Sequence, residues 1–200
     1  MKKYSLIRSE LDSLQSRSNI KGILSTILTL PSRSTAVFMK IDLPEYEVLR
    51  AQVFLEDIAD KLEDDAALSI VDLIALLLKD FLHVTTTTKM EDLKTSLLEM
   101  KKKYLSKTET IEELVELSPG RSSLQLKEKP RRVKYYTLEL TVPRKTALRL
   151  EIVLYDLEQM FKSFKIGMDE LVAIVFLEFV HHLKIGKQKD MIKRFIQCFG

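Results

Sequence analysis

The side chains able to do chemistry are few, and their spacing argues against most of it. His83, His181, His182 and the single Cys198 are the soft metal ligands of the chain. Adjacent residues on a helix point about 100° apart, so His181 and His182 do not share an ion in the way an i, i+4 pair does. One cysteine excludes an intramolecular disulfide and a cysteine zinc cluster, and it fits a reducing compartment. The glycines, Gly22, Gly120, Gly167, Gly186 and Gly200, are too scattered to build a phosphate-cradling loop, and G-x-S-x-G, H-E-x-x-H and D-x-D-x-D-G are all missing. Carboxylates are plentiful but sit among lysines at helical spacing, the pattern of a solvated face. The expectation is a protein without catalytic, cofactor-binding or metal-ligating residues, and not an enzyme. What is left is positive charge: KEKPRRVKYY brings Lys127, Lys129, Arg131, Arg132 and Lys134 up to Tyr135 and Tyr136. Cations at that density can hold phosphates, and a neighbouring ring can stack a base. A solvated basic linker is the plainer reading of the same run.

Hydrophobic periodicity makes the elements that must position these residues readable. Tyr4, Ile7, Leu11 and Leu14 give one apolar stripe on a helix of about four turns, and the apolar run IKGILSTILTL ends at Pro31. In TAVFMKIDLP, Met39, Ile41 and Leu43 alternate with Lys40 and Asp42, a strand with one buried face. From Glu45 to about Asp64, Val48, Leu49, Val53, Leu55, Ile58 and Leu62 recur at helical spacing. Ser69 with Asp72 three residues on is a helix start signal, and Ile70 to Val84 is so apolar that its helix must be covered nearly all round. At about fourteen residues it is too short to cross a bilayer. MEDLKTSLLEMKKKYLSK places Met90, Leu93, Leu97, Met100 and Tyr104 on one helical face. TIEELVELSPG reads as a short helix stopped at Ser-Pro-Gly, and RSSLQLKEKPRR as a polar, basic linker.

The stretch MKIDLPEYEVLRAQVFLEDI at Met39 returns 99 residues later as LELTVPRKTALRLEIVLYDL. Without a gap, Met39 aligns with Leu138, Ile41 with Leu140, Pro44 with Pro143, Leu49 with Leu148, Arg50 with Arg149 and Asp57 with Asp156. After one deletion near Gly167 the match resumes, Leu73 with Leu171, Ala75 with Ala173, Phe81 with Phe179 and His83 with His181. The shared order of strand, proline, helix, turn and apolar helix points to a tandem β-α-α duplication. One such unit alone leaves its strand unpaired and its helices bare, whereas two can enclose a single core about a pseudo-twofold axis. The expected fold class is α+β and predominantly helical: two β-α-α repeats whose strands pair as an antiparallel ribbon over a helical core, with extra N-terminal and central helices. The expected segments are 1–34, N-terminal and helical; 35–84, the first repeat; 85–130, central helices and basic linker; and 131–200, the second repeat.

At 200 residues and 46% hydrophobic the chain has ample material for a core. No run approaches the roughly 18 to 20 uncharged apolar residues that span a bilayer, and Arg8, Glu10 and Asp12 fall where a signal peptide needs an apolar core. A soluble, cytoplasmic protein without a membrane partner is expected. The net charge of +3 hides a partition: residues 35–84 hold 4 bases and 11 acids, net −7, while 126–200 hold 15 bases and 9 acids, net +6.

The order of elements resembles the ribbon-helix-helix family over Met39 to Val84 and Leu138 to His182, in IDLP and LTVP, each followed by a helix, a turn and a helix such as GMDELVAIVFLEFV. The resemblance implies a two-stranded ribbon over four helices and DNA binding, with outward ribbon side chains in the major groove and the start of the second helix against phosphate. It implies outward positions Phe38, Lys40, Asp42, Thr137, Glu139 and Thr141, and phosphate-facing turns at Leu68 to Ile70 and Gly167 to Asp169. Together with the basic run, this makes Lys40, Lys129, Arg131, Arg132, Lys134, Tyr135, Thr137, Thr141 and Gly167 the candidate nucleic-acid-binding residues. The chain departs from the family in a first helix about two turns longer. It also carries Asp42 and Glu139 on the ribbon, where they repel phosphate although either can accept from cytosine N4. The expectation is a DNA-binding regulator, of transcriptional or plasmid-maintenance type, that takes double-stranded DNA mainly through the basic second repeat. The alternative is a protein-interaction adaptor or scaffold on a non-DNA-binding version of the fold. It would hold a partner through the acidic repeat or the N-terminal helix, whose stripe also suits a homo-oligomer.

Overall fold

The computed structural model describes residues 4–18, 35–62, 68–106, 108–118 and 121–186. In chain order these form α1 (Ser5–Ser18), β1 (Ala36–Pro44), α2 (Glu45–Leu62), α3 (Ile70–Thr85), α4 (Met90–Leu105), β2 (Thr108–Ser118), β3 (Arg121–Pro130), β4 (Tyr135–Pro143), α5 (Arg144–Met160) and α6 (Met168–Lys184). The chain is α+β and mostly helical, with β1 and β4 paired as one antiparallel ribbon and β2 and β3 as a separate hairpin. Among the described residues no helix is long and apolar enough to cross a membrane.

Alternation fixes the two faces of the ribbon. Val37, Ile41 and Leu43 of β1 and Leu140 and Val142 of β4 are buried, while Phe38, Lys40, Asp42, Thr137, Glu139 and Thr141 point outward. A slip of one residue would turn each apolar set into water, so the pattern specifies the register. In that register Lys40 faces Glu139. These two residues are also the equivalent positions of the two copies, so the pseudo-twofold axis passes between them. The backbone obeys the same symmetry. The Glu45 amide donates to the Lys134 carbonyl and the Arg144 amide to the Thr35 carbonyl, both at 2.9 Å. The first amides of a helix have no acceptor within it. Each copy therefore completes the helix start of the other.

Beneath the ribbon the copies share one core. Leu43 and Leu140 pack down from the strands, Ile58 from α2, Leu150 and Leu157 from α5, Leu73 and Leu78 from α3, and Leu171 and Phe176 from α6, all essentially without exposed surface. Helix α3 begins with a capping box: Ser69 Oγ accepts the Asp72 amide and the Asp72 carboxylate accepts the Ser69 amide, each at 3.2 Å. The second copy keeps half of this device, with Glu170 accepting the Gly167 amide at 2.9 Å. Helix α4 lies on α6 with Leu93 and Leu97 buried, and Tyr104 donates to Glu178 at 2.5 Å. Lys101 donates to Glu170 at 2.9 Å and to the Lys165 carbonyl at 2.7 Å, which ties α4 to the start of α6.

Helix α1 is clasped to α5. Its first turn has no acid of its own. Glu151, buried in α5, takes that place, accepting the Ile7 amide at 2.7 Å with the Leu6 and Ser5 amides also directed at it. Arg144 donates to Glu10 at 3.0 Å and to Ser9 at 3.1 Å, and Tyr4 donates to Glu158 while its ring meets Tyr155 edge-on.

Four local expectations are corrected. TIEELVELSPG is not a short helix and RSSLQLKEKPRR is not a linker; they supply most of β2 and β3. Ile111, Leu114 and Val115 also fit a helical period, but β-branched residues and the complementary strand Leu124 to Lys129 favour pairing across the hairpin. Lys127 and Lys129 accordingly reach Glu113 at 3.1 and 3.8 Å. Pro119-Gly120, read as a helix stop, falls between the two strands and outside the described residues. Among the described side chains of α1 Leu6 is the buried one, and Leu11 is 53% exposed; Tyr4 precedes the helix at φ 58. The Leu14 and Leu62 side chains and IKGILSTILTL lie outside the described residues. On α2, Leu49 and Val53 are exposed and not core.

Candidate nucleic-acid interface

The outward face of the ribbon pairs Phe38 with Thr141, Lys40 with Glu139 and Asp42 with Thr137. Lys40 Nζ lies 2.6 Å from Glu139 Oε1. Each keeps the other charged: the hydrogen bond to Glu139 raises the Lys40 ammonium above its ordinary pKa, and Lys40 holds the Glu139 carboxyl below its own. Thr137 donates to Asp42 at 2.6 Å. Lys40, Glu139, Asp42 and Thr137 are thus engaged with one another, and one base stands against two acids on this face.

The helix starts that would face phosphate are engaged too. Asp72 occupies the amide and hydroxyl of Ser69, and Glu170 occupies the amide of Gly167. Anion binding at a helix N-terminus uses free amides and a positive field, and here carboxylates already supply the anion. Gly167 stands with Lys40, Thr141, Phe38 and Asp169 along an open cleft of about 910 Å³.

A different arrangement occupies the end of the ribbon where Tyr135 pairs with Pro44. Pro130, which has no amide to donate, closes β3. Residues 131–134 then run into β4 past the start of α2 and the ends of α4 and α6, enclosing a cleft of about 670 Å³. Arg131, Arg132 and Lys134 line it with Lys103 and Lys184; Leu49, Val133 and Leu177 add apolar surface, and Tyr46, Tyr104 and His181 add rings. Lys184 is paired with Glu47 at 2.5 Å and Lys103 stands 3.9 Å from Glu178. Among the described residues no acid pairs with Arg131, Arg132 or Lys134, and all three are exposed. Tyr46 is 68% exposed, with the Arg50 guanidinium 5.4 Å from its ring centroid. Burial and the Glu178 carboxylate push the Tyr104 phenol well up, so it stays neutral and bound to Glu178.

The structure therefore divides the sequence-based candidates. Lys40, Thr141 and Gly167 share one cleft, Arg131, Arg132 and Lys134 another, and Tyr135 and Thr137 are exposed on the ribbon between. Lys129 is on the hairpin near Glu113. Sequence reasoning missed Tyr46, Lys103, Tyr104 and Lys184 as wall residues. The run Lys101-Lys102-Lys103-Tyr104 repeats the basic-then-aromatic order of KYY and could have drawn attention, but Tyr46 sits at core-like spacing with Leu49 and Val53 and gives no signal of exposure. Among the described residues no group of three or more metal-ligating side chains gathers. No protein-family model, curated protein or solved structure matches the chain.

Proposed function

We propose that the protein is a non-enzymatic, cytoplasmic regulator that binds nucleic acid, contacting phosphate through Arg131, Arg132 and Lys134. The observation that carries this is the convergence of these three unpaired cations with Lys103 and Lys184 on one concave surface at the end of the ribbon. Two β-α-α copies under a shared ribbon support the ribbon-helix-helix resemblance, which makes double-stranded DNA the first ligand to try. The self-paired ribbon face supports backbone contact at the edge over base reading at the centre. The test is fluorescence anisotropy of a labelled random-sequence duplex at low and physiological salt. Binding should weaken steeply with salt, and replacing Arg131, Arg132 and Lys134 by Ala should weaken it and flatten the log–log salt slope by about 3. Unchanged binding in that triple variant would sink the proposal.

A second reading is favoured by α2, where Tyr46, Leu49 and Val53 are exposed at i, i+3, i+7 spacing beside Glu56, Asp57 and Asp60. That surface suits a basic amphipathic helix of a protein partner. Val53→Glu with Asp57→Lys should then abolish partner capture while leaving duplex binding intact; capture that survives both changes counts against it.

A further inference from the structure

Phosphate alone does not need the cleft at the ribbon end. A duplex presents its phosphates on a convex outside and keeps its bases stacked within, so it would touch the rim cations and leave the interior unused. That interior is apolar and aromatic: Leu49 and Leu177 with Tyr46, whose ring keeps most of its surface open and has one cation, Arg50, near it. Its volume of about 670 Å³ falls within the roughly 300–1,000 Å³ of sites that enclose small organic groups. Charge is graded across it. On the α2 side Glu47 is bound by Lys184 and Glu45 is exposed, so that side carries no surplus of positive charge, while the 131–134 side carries the free cations. An anion at the rim and a flat, uncharged ring against Tyr46 is the complement of that gradient.

Resting on the reading above, we propose that the cleft takes an unpaired nucleotide of a single strand, its phosphates on Arg131, Arg132 and Lys134 and its base stacked on Tyr46. The ribbon face argues in the same direction, since its acids outnumber its one base and its polar groups satisfy each other. A single strand can bend into the cleft and expose a base at low cost, and stacking on an aromatic ring tolerates any base. The site then prefers strand ends, gaps or unwound segments to intact duplex.

The experiment compares a labelled oligothymidylate with a duplex of equal length, by anisotropy on the full chain at low and physiological salt. The single strand should bind at least about tenfold more tightly, and Tyr46→Ala should weaken it by about 5- to 150-fold with duplex binding unchanged. Tyr46→Phe should retain the wild-type affinity. Tyr46 is exposed, so both variants should keep the helical circular dichroism of the parent, and a variant that lost it would be replaced by Leu49→Gln, a neutral polar change on the same wall that should also weaken the single strand. If Tyr46→Ala leaves the single strand unaffected, or duplex binds as tightly as single strand, the cleft does not stack a base. The phosphate reading stands in that event provided the Arg131, Arg132 and Lys134 triple variant weakens both ligands. If the triple variant weakens neither, both readings fall.

Discussion

At Gln52 the first copy carries an exposed amide that donates to Glu56 on its own helix at 3.3 Å; at the equivalent Glu151 the second copy carries a buried carboxylate that begins another helix. Elsewhere on the same two helices the copies agree closely. Val48 and Ala147, Ala51 and Leu150, Leu55 and Leu154, and Ile58 and Leu157 are buried in both. The inner faces, which meet in one core, have kept their apolar character, whereas the outer faces have diverged: one holds α1, and the other is open and acidic. Symmetry is preserved where the copies pack on each other. It is lost where each meets something else.

The largest effects should test the shared core. Phe176→Ala in the second copy should cost about 3–5 kcal/mol and Leu78→Ala at the equivalent place in the first about 2–5 kcal/mol. Both should lower one cooperative unfolding transition, followed together by near- and far-ultraviolet circular dichroism. Two separable transitions would show that the copies fold independently.

Next comes the point of divergence. Glu151→Ala leaves amides of α1 without an acceptor and should cost about 1–3 kcal/mol in urea unfolding, while Gln52→Ala should change stability by less than about 0.5 kcal/mol. Burial lifts the Glu151 carboxyl above its ordinary pKa, against the pull of the α1 amides and Arg144. The native state then holds this proton more tightly than the unfolded chain, so the contribution of Glu151 to stability falls as pH rises through the carboxylate range to the raised value. Glu151→Gln should accordingly gain on the parent as pH rises above the ordinary glutamate range; a gain in the opposite sense would mean that the α1 amides outweigh burial.

A smaller difference is expected at the helix starts. Ser69→Ala removes the hydroxyl of the capping box and should cost about 1 kcal/mol. Gly167→Ala should cost less, because no side-chain cap is lost, φ is −81°, and the new Cβ meets only the movable Asp169 carboxylate at 2.6 Å. Equal costs in calorimetry would remove the contrast. Smallest of all, Lys40→Glu should destabilise slightly by setting two acids opposite each other across the axis, and exchanging both residues as Lys40→Glu with Glu139→Lys should restore the parent midpoint, since the pair is largely solvent-exposed.

The repeat, the two strand faces and the Ser69 capping box were legible in the sequence because each rests on a local period or a fixed offset. The hairpin was not, because Ile111, Leu114 and Val115 satisfy two periods at once and only the partner strand, eight to sixteen residues away, chooses between them. The candidate site was half legible. Arg131, Arg132 and Lys134 announce themselves by density, but the walls of their cleft come from α2, α4 and α6. Tyr46, Leu49 and Val53 have the spacing of a buried stripe, and their exposure follows from how α2 lies on its neighbours, which no residue in α2 encodes. Glu151 was hidden in the same way, as one carboxylate among many until α1 is placed over it.

In an assembly of two identical chains the residue on the symmetry axis must face its own kind, and a charge there repels itself. Joining the copies end to end allows Lys40 to face Glu139 instead. The joined molecule also assembles without a second-order step, so its stability does not depend on its concentration as that of an obligate dimer does. Its ribbon, moreover, has two unlike ends, and the basic connection 131–134 lies at the one where Tyr135 pairs with Pro44. A nucleic acid bound as proposed would therefore meet a molecule with direction.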